Sequence, residues 1–384
     1  MSNFRIALDG NEANRCQRVG SNVYAFELLC ALERITRSLS DKIAFEVLLS
    51  SAPVSDWPAE RPGWSYRVVG PARLWTQWGL PLYLFCRQGA YDVFFTPGHY
   101  APRWCSVPYI CSVMDLGFLK FPETFARRDL YQLSAWTRYS VKRAAAVVAI
   151  SKFTKKEVAR AYQRAERDIV VAYPAFSGQV ISLTASERQQ LLSRMGVGKK
   201  YFVYLGTLQP RKNIARMVEA FDTFVAMVER GEEWQLVLAG KDGWVMDEIE
   251  EAIGACRSRR QIVRTGFVDE RQKGALLAGA TASLNLGLYE GFGIPALESL
   301  AYRTLPICAN NTSLPEVVGQ MGLGVNPFRP NSIAKAMIAA VTWQASREKA
   351  RFGRQALAQL GKFSYDESAL MILETILKVA TRKA

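Results

Sequence analysis

The chain alternates short runs rich in β-branched and aromatic residues with longer segments whose apolar residues recur at helical spacing. FRIALD (4–9) and IAFEVLLS (43–50), for example, flank the helix-like segment NVYAFELLCALERI (22–35). Strand-like runs joined by helical segments are typical of a parallel sheet with helices on its faces. The first half contains the runs FRIALD, IAFEVLLS, SYRVVG, YDVFFTP, VPYICSVMD and AAAVVAIS. It is therefore predicted to be an α/β domain.

The same alternation restarts after DIVVAYPAFSG and a polar stretch, in the runs YFVYLG, WQLVLAG, QIVRTGF, TASLNLG and LPICAN. A length of 384 residues is sufficient for two domains that each bury a core. We predict two doubly wound, Rossmann-like α/β domains, 1–175 and 176–362, with the linker near Tyr173–Ser177. Ligands of such sheets bind beyond the carboxyl ends of the strands, so substrates are expected in a cleft between two facing domains.

Charge and composition exclude several classes of protein. Lysine and arginine number 49 and aspartate and glutamate 35, giving a net charge of +14, which favours nucleic acid, an anionic membrane surface or phosphorylated ligands. No helix-turn-helix, zinc-finger or RNA-binding signature accompanies the charge, so nucleic acid ranks last. The seven cysteines form no C-x-x-C pair and His99 is the only histidine, so no zinc site is expected.

The sequence shows neither a membrane-spanning segment nor a signal peptide for export. No apolar run is long enough to span a bilayer, and MSNFRIALDG lacks the basic and apolar regions of a signal peptide. We therefore expect a cytoplasmic protein that at most docks on the inner face of the plasma membrane.

A basic loop follows the strand-like run YFVYLG. In TLQPRKN (207–213), Arg211 and Lys212 are adjacent where the next helix is predicted to begin. A guanidinium can bind phosphate oxygens bidentately while the N–H groups of a helix N-terminus add further donors, so the pair suits a diphosphate. A solvated basic turn is the alternative interpretation.

An acidic loop follows the run TASLNLG. In GLYEGFGIPALES (287–299), Glu290 and Glu298 are eight positions apart, around Gly291, Gly293 and a proline suited to a first helical turn. The two glycines would let backbone N–H groups approach an anion. A carboxylate in a first helical turn is equally an ordinary partner of the helix dipole.

The combination of these motifs resembles the retaining glycosyltransferases of family 4, which have the two-domain GT-B fold. The matching pieces in the second half are GTLQPRKN, GFVDE, LYEGFGIPALES and NTSLPEVVG. In the first half they are ALDGNEANRCQRVGSNVYAFELLCAL, MDLGFLKFPETF and AAAVVAISKFTKKEV. The resemblance covers nearly the whole chain, which is similar to bacterial polysaccharide mannosyltransferases. It implies that a C-terminal helix in 363–384 packs back on the first domain.

The resemblance also implies a role for each matched position. Arg211 and Lys212 would hold the diphosphate leaving group, Glu298 the ribose hydroxyls, and Glu290 the donor sugar. The backbone of Gly291, Phe292, Gly293 and Ile294 would also address the donor sugar, and Gly20 would lie close to the phosphates. The other substrate-binding positions would be Gly206, Thr207, Phe267, Val268 and Asp115. No Asp-x-Asp motif is present, so cations and helix dipoles would stabilise the leaving group, and no metal or other cofactor is expected.

One position departs from the family pattern. Where the family has His-Asp after a strand of the first domain, this chain has Met114 and Asp115. The missing histidine normally contacts the donor sugar and phosphate, and His99, after another strand, is a candidate to occupy the same cleft. The substitution leaves open altered donor preference, reduced activity, or a noncatalytic member that binds sugar nucleotides or lipid surfaces.

The expected activity is transfer of a sugar from a nucleotide-diphosphate sugar to a saccharide or lipid-linked saccharide in cell-surface glycan synthesis. GDP-mannose is slightly favoured as donor, with a UDP-sugar as the alternative. The aromatic-rich segment 73–85 and the cation-dense segment 138–164 would suit docking on an anionic membrane. Core packing of the tryptophans and a solvated face for the cations are the other interpretations.

Overall fold

The computed structural model describes residues 4–344 and 348–382. The chain divides into two compact units. The first consists of Met1–Pro174 with Ser364–Ala384, and the second of Ala175–Phe363. In the first part of the chain, the division between the units falls after residue 174.

The first unit is built on a seven-stranded sheet in the order β3-β2-β1-β4-β5-β6-β7, and every neighbouring pair is parallel. Its strands are β1 Phe4–Asp9, β2 Ile43–Leu49, β3 Trp64–Val68, β4 Val93–Thr96, β5 Tyr109–Val113, β6 Ala146–Ala149 and β7 Ile169–Val171. Each of the six runs singled out in the sequence contributes one of the first six strands. The order reverses between β1 and β4, so the loops that follow these two strands diverge and leave a crevice at the sheet edge.

The second unit has a six-stranded parallel sheet in the order β10-β9-β8-β11-β12-β13. Its strands are β8 Lys200–Leu205, β9 Trp234–Ala239, β10 Ile262–Gly266, β11 Ala282–Asn285, β12 Pro306–Ala309 and β13 Leu323–Val325. The three-residue β13 was not predicted, because a run of Leu, Gly and Val carries no strand periodicity. Here the reversal lies between β8 and β11, which brings the loops after these strands to one edge.

Helices connect the strands in both units. They are α1 Ser21–Ile35, α2 Leu80–Cys86, α3 Gly117–Lys120, α4 Arg127–Arg143, α5 Lys152–Tyr162, α6 Ala185–Arg194, α7 Ile214–Met227, α8 Asp247–Ala255, α9 Glu270–Gly279, α10 Ile294–Ala301, α11 Leu314–Val318, α12 Pro330–Gln344, α13 Glu348–Leu360 and α14 Tyr365–Thr381. The last helix, α14, packs against α1 within the first unit. The Ser368 hydroxyl donates to the carbonyl of Tyr173 (2.7 Å), which ties α14 to the end of the same unit.

Each sheet is buried on both faces, as expected for parallel strands covered by helices. In the first unit Ile6, Val47 and Phe94 are fully buried. In the second unit the rings of Phe202 and Trp234 stack with centroids 5.4 Å apart at the centre of a large apolar cluster. These cores leave the loops beyond the carboxyl ends of the strands as the places where polar side chains gather.

Candidate active site

The basic loop of the second unit lies directly beyond β8. Arg211 and Lys212 are in a separate 3-10 turn, Pro210–Lys212, and not in the first turn of α7 as the sequence analysis expected. Asn213, in the left-handed conformation (φ 65°), separates this turn from α7, and its side-chain amide donates to the carbonyl of Pro327 (2.7 Å). The two cations are therefore held on a fixed turn that precedes the helix N-terminus.

The acidic loop beyond β11 contacts the basic loop directly. The backbone N–H of Leu288 donates to the carbonyl of Arg211, and the Arg211 guanidinium donates to the carbonyl of Tyr289, both at 2.9 Å. The Lys212 ammonium contacts both carboxylate oxygens of Glu290, at 2.7 and 2.9 Å. Three of the residues predicted from two separate motifs thus lie in one cluster at the edge where β8 and β11 are neighbours.

Glycine and serine residues shape the acidic loop around Glu290. A Cβ at Gly287 would lie 2.4 Å from a carboxylate oxygen of Glu290, so only glycine lets this side chain fold back over its own loop. The Ser313 hydroxyl lies 2.8 Å from the carbonyl oxygens of both Glu290 and Phe292. Gly287 and Ser313 were not predicted as site residues, although both are within the quoted segments.

The N-terminus of α10 closes the acidic loop. Gly293 caps the helix at φ 105°, and a Cβ there would lie 2.5 Å from the Leu314 side chain. The helix then begins at Ile294, with proline in its first turn. Gly291 and Phe292 are buried. Backbone N–H groups at this helix start face the same loop as Glu290, which suits an anion or a sugar hydroxyl.

Glu298 belongs to a second ion pair of the same unit. The Lys273 ammonium on α9 lies 2.6 Å from its carboxylate and 2.9 Å from that of Glu270. Burial raises the pKa of the Glu298 carboxyl above its ordinary value, and the Lys273 charge offsets only part of this. Burial alone would lower the pKa of the Lys273 ammonium, but Glu298 and Glu270 together raise it. Lys273 was missed because an isolated lysine on a helix gives no motif.

The loop after β10 carries Phe267 and Val268. The Phe267 side chain is exposed, and the Lys241 ammonium lies over its ring, 5.0 Å from the centroid. Gly206 and Thr207 follow β8, and the Tyr204 hydroxyl donates to the Thr207 carbonyl (2.9 Å). In the sheet, β9 and β8 separate β10 from β11, so Phe267 is at the same edge as Glu290 but not beside it.

In the first unit, the predicted residues follow neighbouring strands. Gly20 caps α1 with φ 54°, a conformation that disfavours other residues. The Nδ1 atom of His99 is buried and has no hydrogen-bond partner in the described part of the chain. Burial lowers the pKa of this imidazole, against the opposing charges of Asp115 and Glu12. A neutral ring at His99 follows.

Asp115 and Met114 follow the neighbouring strand β5. The Asp115 carboxylate accepts the backbone N–H of Gly117 (2.8 Å), and Met114 is buried. The hydroxyl of Thr154 lies 3.4 Å from the carbonyl of Met114. Met114, at the sequence position of the family histidine, is therefore a buried residue held at the end of β5.

Asp9, at the carboxyl end of β1, was not singled out in the sequence. Its carboxylate accepts the Thr96 hydroxyl and the backbone N–H of Asn11, both at 3.0 Å. Burial raises its pKa to about 6, despite these two hydrogen bonds. Its position in the sequence could have identified it as a candidate site residue. An acid that ends a buried strand at the switch point of a doubly wound sheet lies at the edge where ligands bind.

Among residues 4–344 and 348–382, no group of three or more His, Cys, Asp or Glu side chains is placed to hold a metal ion. In the same residues, no helix combines the length and apolar character needed to cross a bilayer.

Comparison with known families matches both halves of the chain. Residues 20–177 match the model described as Glycosyltransferase Family 4, and residues 187–357 match the model described as Glycosyl transferases group 1. The junction between the two matches falls just after the division between the two structural units.

Among curated proteins, the chain is similar to bacterial mannosyltransferases. It is 26% identical over 303 residues to the O-antigen chain mannosyltransferase B of Escherichia coli, covering 79% of this chain and 76% of that protein. It is 30% identical over 243 residues to the serotype-specific mannosyltransferase WbdA of Escherichia coli. That second match covers 61% of this chain but only 29% of the longer relative.

Among solved structures, Alr3699/HepE of Anabaena, crystallised with UDP and glucose, superposes with a TM-score of 0.70 at 16% identity. The superposition covers 98% of this chain and 100% of that one. WaaG, described as a glycosyltransferase involved in lipopolysaccharide biosynthesis, superposes with a TM-score of 0.66 at 12% identity. At these identities the likeness establishes the fold, which is GT-B as the sequence analysis expected.

Proposed function

Because the chain belongs to the glycosyltransferases of family 4, we propose that it is a retaining hexosyltransferase that uses a nucleotide-diphosphate sugar. The acceptor is a saccharide or lipid-linked saccharide, and the product serves cell-surface glycan synthesis. The observation that carries this proposal is the direct contact of Arg211 and Lys212 with the Glu290 loop. It joins the cations suited to a diphosphate and the acid suited to a sugar in one cluster.

The cations would stabilise the departing diphosphate. Lys212 has three N–H donors, and its contacts with the two Glu290 oxygens leave donor capacity for a phosphate oxygen. Arg211 adds a planar guanidinium anchored to the Tyr289 carbonyl, which fixes its position before a ligand arrives. Preorganised donors of this kind lower the barrier because they do not reorient as charge develops.

The acids would address the rest of the donor. Glu290, with the backbone from Gly291 to Ile294, is proposed to contact the sugar as its anomeric carbon gains positive character. Glu298 is proposed to accept hydrogen bonds from the ribose hydroxyls, and Lys273 holds its carboxylate in place. Phe267 and Val268 would contribute to the nucleoside side of the same edge.

The donor is proposed to be GDP-mannose, because the curated relatives reported above are named mannosyltransferases. A UDP-sugar is the competing donor, since the Anabaena neighbour was crystallised with UDP and glucose. We further propose that the enzyme acts on the cytoplasmic side of the plasma membrane and needs no metal ion.

A thermal-shift comparison of GDP, UDP, GDP-mannose and UDP-glucose tests donor choice. A ligand at a hundred times its Kd should add about 2.7 kcal/mol to the free energy of unfolding, whereas a nucleotide that does not bind adds nothing. The preferred donor then enters a turnover assay, with the anomeric configuration of the product read by NMR. An inverted anomeric centre would overturn the retaining assignment, and absence of any nucleotide effect would overturn the proposal itself.

A noncatalytic role in binding sugar nucleotides is the second candidate, favoured by the buried Met114 at the position of the family histidine. The two candidates differ in turnover. A binding protein would take up the donor without releasing nucleoside diphosphate, in the presence or absence of acceptor. A transferase releases nucleoside diphosphate in proportion to the glycosylated product.

A further inference from the structure

A groove of about 950 Å³ in the first unit joins the aromatic-rich segment 73–85 to the cation-dense segment 138–164. From the first come Trp78, Leu82 and Phe85, and from the second Tyr139 and Arg143. The connecting wall is the loop that carries Arg103 and Trp104. The Tyr139 hydroxyl donates to the carbonyl of Arg103, which fixes this loop on α4.

Four of the apolar side chains that line the groove are exposed. Trp78 is 57% exposed, Leu82 61%, Phe85 64% and Trp104 60%, whereas Trp75 in the same segment is buried. The indoles of Trp78 and Trp104 form an edge-to-face pair with centroids 5.9 Å apart. Contiguous exposed aromatic side chains of this kind mark an interaction surface, because an isolated fold gains stability by burying them.

Cations surround the aromatic groove. Arg103 and Arg143 belong to its walls, and Arg138 and Lys142 line a second depression of about 490 Å³ between α4 and α5. Tyr139 and Arg143 are one residue on from Arg138 and Lys142, so the two depressions lie on adjacent faces of α4. Among the described residues that line either depression, none is acidic.

The second depression also contains an unused hydrogen-bonding group. Tyr162 lines it, and the hydroxyl of this side chain is buried with no hydrogen-bond partner among the described residues. A buried hydroxyl without a partner is costly unless a ligand or water supplies one. Arg138 and Lys142 line the same depression, and no acidic residue in the described part of the chain lines it, so its donors match the chemistry of a phosphate group.

We propose that the groove and the adjacent depression together form a docking surface for an anionic lipid bilayer, the indole-arginine face. The Trp78 and Trp104 rings enter the interfacial region, where amphipathic aromatic side chains are favoured. Arg138, Lys142 and the Tyr162 hydroxyl bind a lipid phosphate. This inference rests on the proposed function, because docking on a bilayer would bring the enzyme to a lipid-linked acceptor.

A second copy of the chain fits this face less well than a bilayer does. In a twofold-symmetric dimer the same patch of each protomer meets its equivalent, which would bring the cationic walls of two grooves together. Like charges opposed in a desolvated contact are unfavourable. An anionic bilayer offers the opposite charge and an apolar layer at the depth of the exposed rings.

Vesicle co-sedimentation of the full chain tests the surface. The probes are vesicles of phosphatidylcholine alone and vesicles with about 30% phosphatidylglycerol, at low and high salt. Wild type should bind the anionic vesicles and lose binding as salt screens the charges. Arg138→Gln with Lys142→Gln should lower the partition coefficient about 30-fold. Trp78→Ala with Trp104→Ala, and separately Leu82→Ser with Phe85→Ser, should lower it at least tenfold.

Matched controls change the same kinds of residue in the second unit. Arg259→Gln with Arg260→Gln removes two exposed cations, and Met227→Ala with Phe328→Ala removes two exposed apolar side chains. These variants should bind anionic vesicles like wild type. If the charge control loses as much binding as Arg138→Gln with Lys142→Gln, the net charge alone explains docking and the proposed surface is wrong.

Three other results would also overturn the proposal. They are equal binding to neutral and anionic vesicles, unaltered binding after the tryptophan substitutions, and a change of oligomeric state caused by those substitutions. Two further measurements, nucleotide affinity and turnover of a water-soluble acceptor, distinguish failure of this proposal from failure of the proposed function. Variants of the indole-arginine face should leave both unchanged, whereas failure of the proposed function would abolish turnover in wild type as well.

Discussion

Lys212 and Glu290, 78 positions apart in the chain, form an ion pair in which one ammonium contacts both carboxylate oxygens. Both side chains are largely buried, with 19% and 15% of their surface exposed. Desolvation opposes the Coulomb attraction of a pair withdrawn from water in this way, so its contribution to stability is small. Here the arrangement places the cation proposed to bind phosphate beside the acid proposed to contact the sugar.

Substitutions of Lys212 and of Glu290 should affect different properties, nucleotide affinity for the first and kcat for the second. Lys212→Met removes a charged donor to the diphosphate, so affinity for the nucleoside diphosphate should fall by about ten- to a hundredfold. Glu290→Gln should lower kcat and leave that affinity nearly intact, since the carboxylate is proposed to act on the developing charge of the sugar. Calorimetric binding beside steady-state kinetics measures both effects.

Lys200→Met provides the control, because its ammonium also forms an ion pair, with Glu233 at 2.5 Å, away from the acidic loop. It should change neither affinity nor kcat. Loss of nucleotide binding in Glu290→Gln, with normal binding in Lys212→Met, would reverse the assignment.

Glu298 and Lys273 predict a pH effect on nucleotide binding. Glu298→Gln should lower nucleoside diphosphate affinity by about ten- to a hundredfold, because the ribose hydroxyls lose a charged acceptor. Lys273→Met should raise the pKa of the Glu298 carboxyl further, so that affinity falls on acidification at a higher pH than in wild type. Binding titrations across pH measure this shift.

Arg271→Met on the same helix is the control for Lys273, since its guanidinium pairs with Glu187 (2.7 Å) and not with Glu298. Its binding profile against pH should match that of wild type. A Lys273→Met profile identical to wild type would show that Lys273 does not position the Glu298 carboxylate.

Met114 predicts a change in donor use. Met114→His restores the residue type of the family pattern next to Asp115, and should alter either kcat or the ratio of kcat/KM for GDP-mannose and UDP-glucose. His99→Gln in the same assay reports whether the neutral imidazole of this chain already acts on the donor. If Met114→His leaves rate and donor ratio unchanged while His99→Gln impairs turnover, His99 fulfils the role instead.

Metal independence follows from assigning the leaving group to Arg211 and Lys212. Excess EDTA should leave the rate of wild type unchanged, because cationic side chains and helix-end N–H groups supply the stabilisation that a divalent ion gives other transferases. Initial rates with EDTA, and after addition of Mg²⁺ or Mn²⁺, measure this. A rate lost on chelation and restored by Mn²⁺ contradicts the assignment.

Much of the fold could be predicted from local pattern. The quoted runs contribute twelve of the thirteen strands, DIVVAY included, because buried parallel strands are short and rich in β-branched residues. The basic and acidic loops could be located because they follow strands. Their direct contact could not, since it depends on β8 and β11 being neighbours, a property of strand order and not of either segment.

Other parts of the site depend on tertiary packing. Lys273 becomes a partner of Glu298 only because α9 presents it to α10. The split between buried Trp75 and exposed Trp78 arises from a π-helical turn, Trp75–Gly79, which composition does not predict. Neither the aromatic count of a segment nor its charge distinguishes a core face from a docking surface.

Asp9 predicts a measurable dependence of stability on pH. Its folded-state pKa of about 6 lies above the ordinary value of 3.8, so the folded state holds a proton that the unfolded state has released between these values. The contribution of Asp9 to the free energy of unfolding is therefore greatest below pH 3.8 and is lost as pH rises through 6. The full effect is about 3 kcal/mol, at about 1.4 kcal/mol for each unit of pKa.

Asp9→Asn keeps the shape of the side chain but cannot ionise, so its free energy of unfolding relative to wild type should increase as pH rises from 3.8 to above 6. The Thr96 hydroxyl donates to Asp9 and thereby lowers the pKa of this carboxyl, so Thr96→Val should raise that pKa. When Asp9→Asn is compared with its parent in the Thr96→Val background, the increase in relative free energy of unfolding should therefore be centred at a higher pH. Urea unfolding of the four proteins across this range gives both curves. A difference between Asp9→Asn and wild type that does not change with pH would mean that Asp9 is not held protonated by burial at the edge of the sheet.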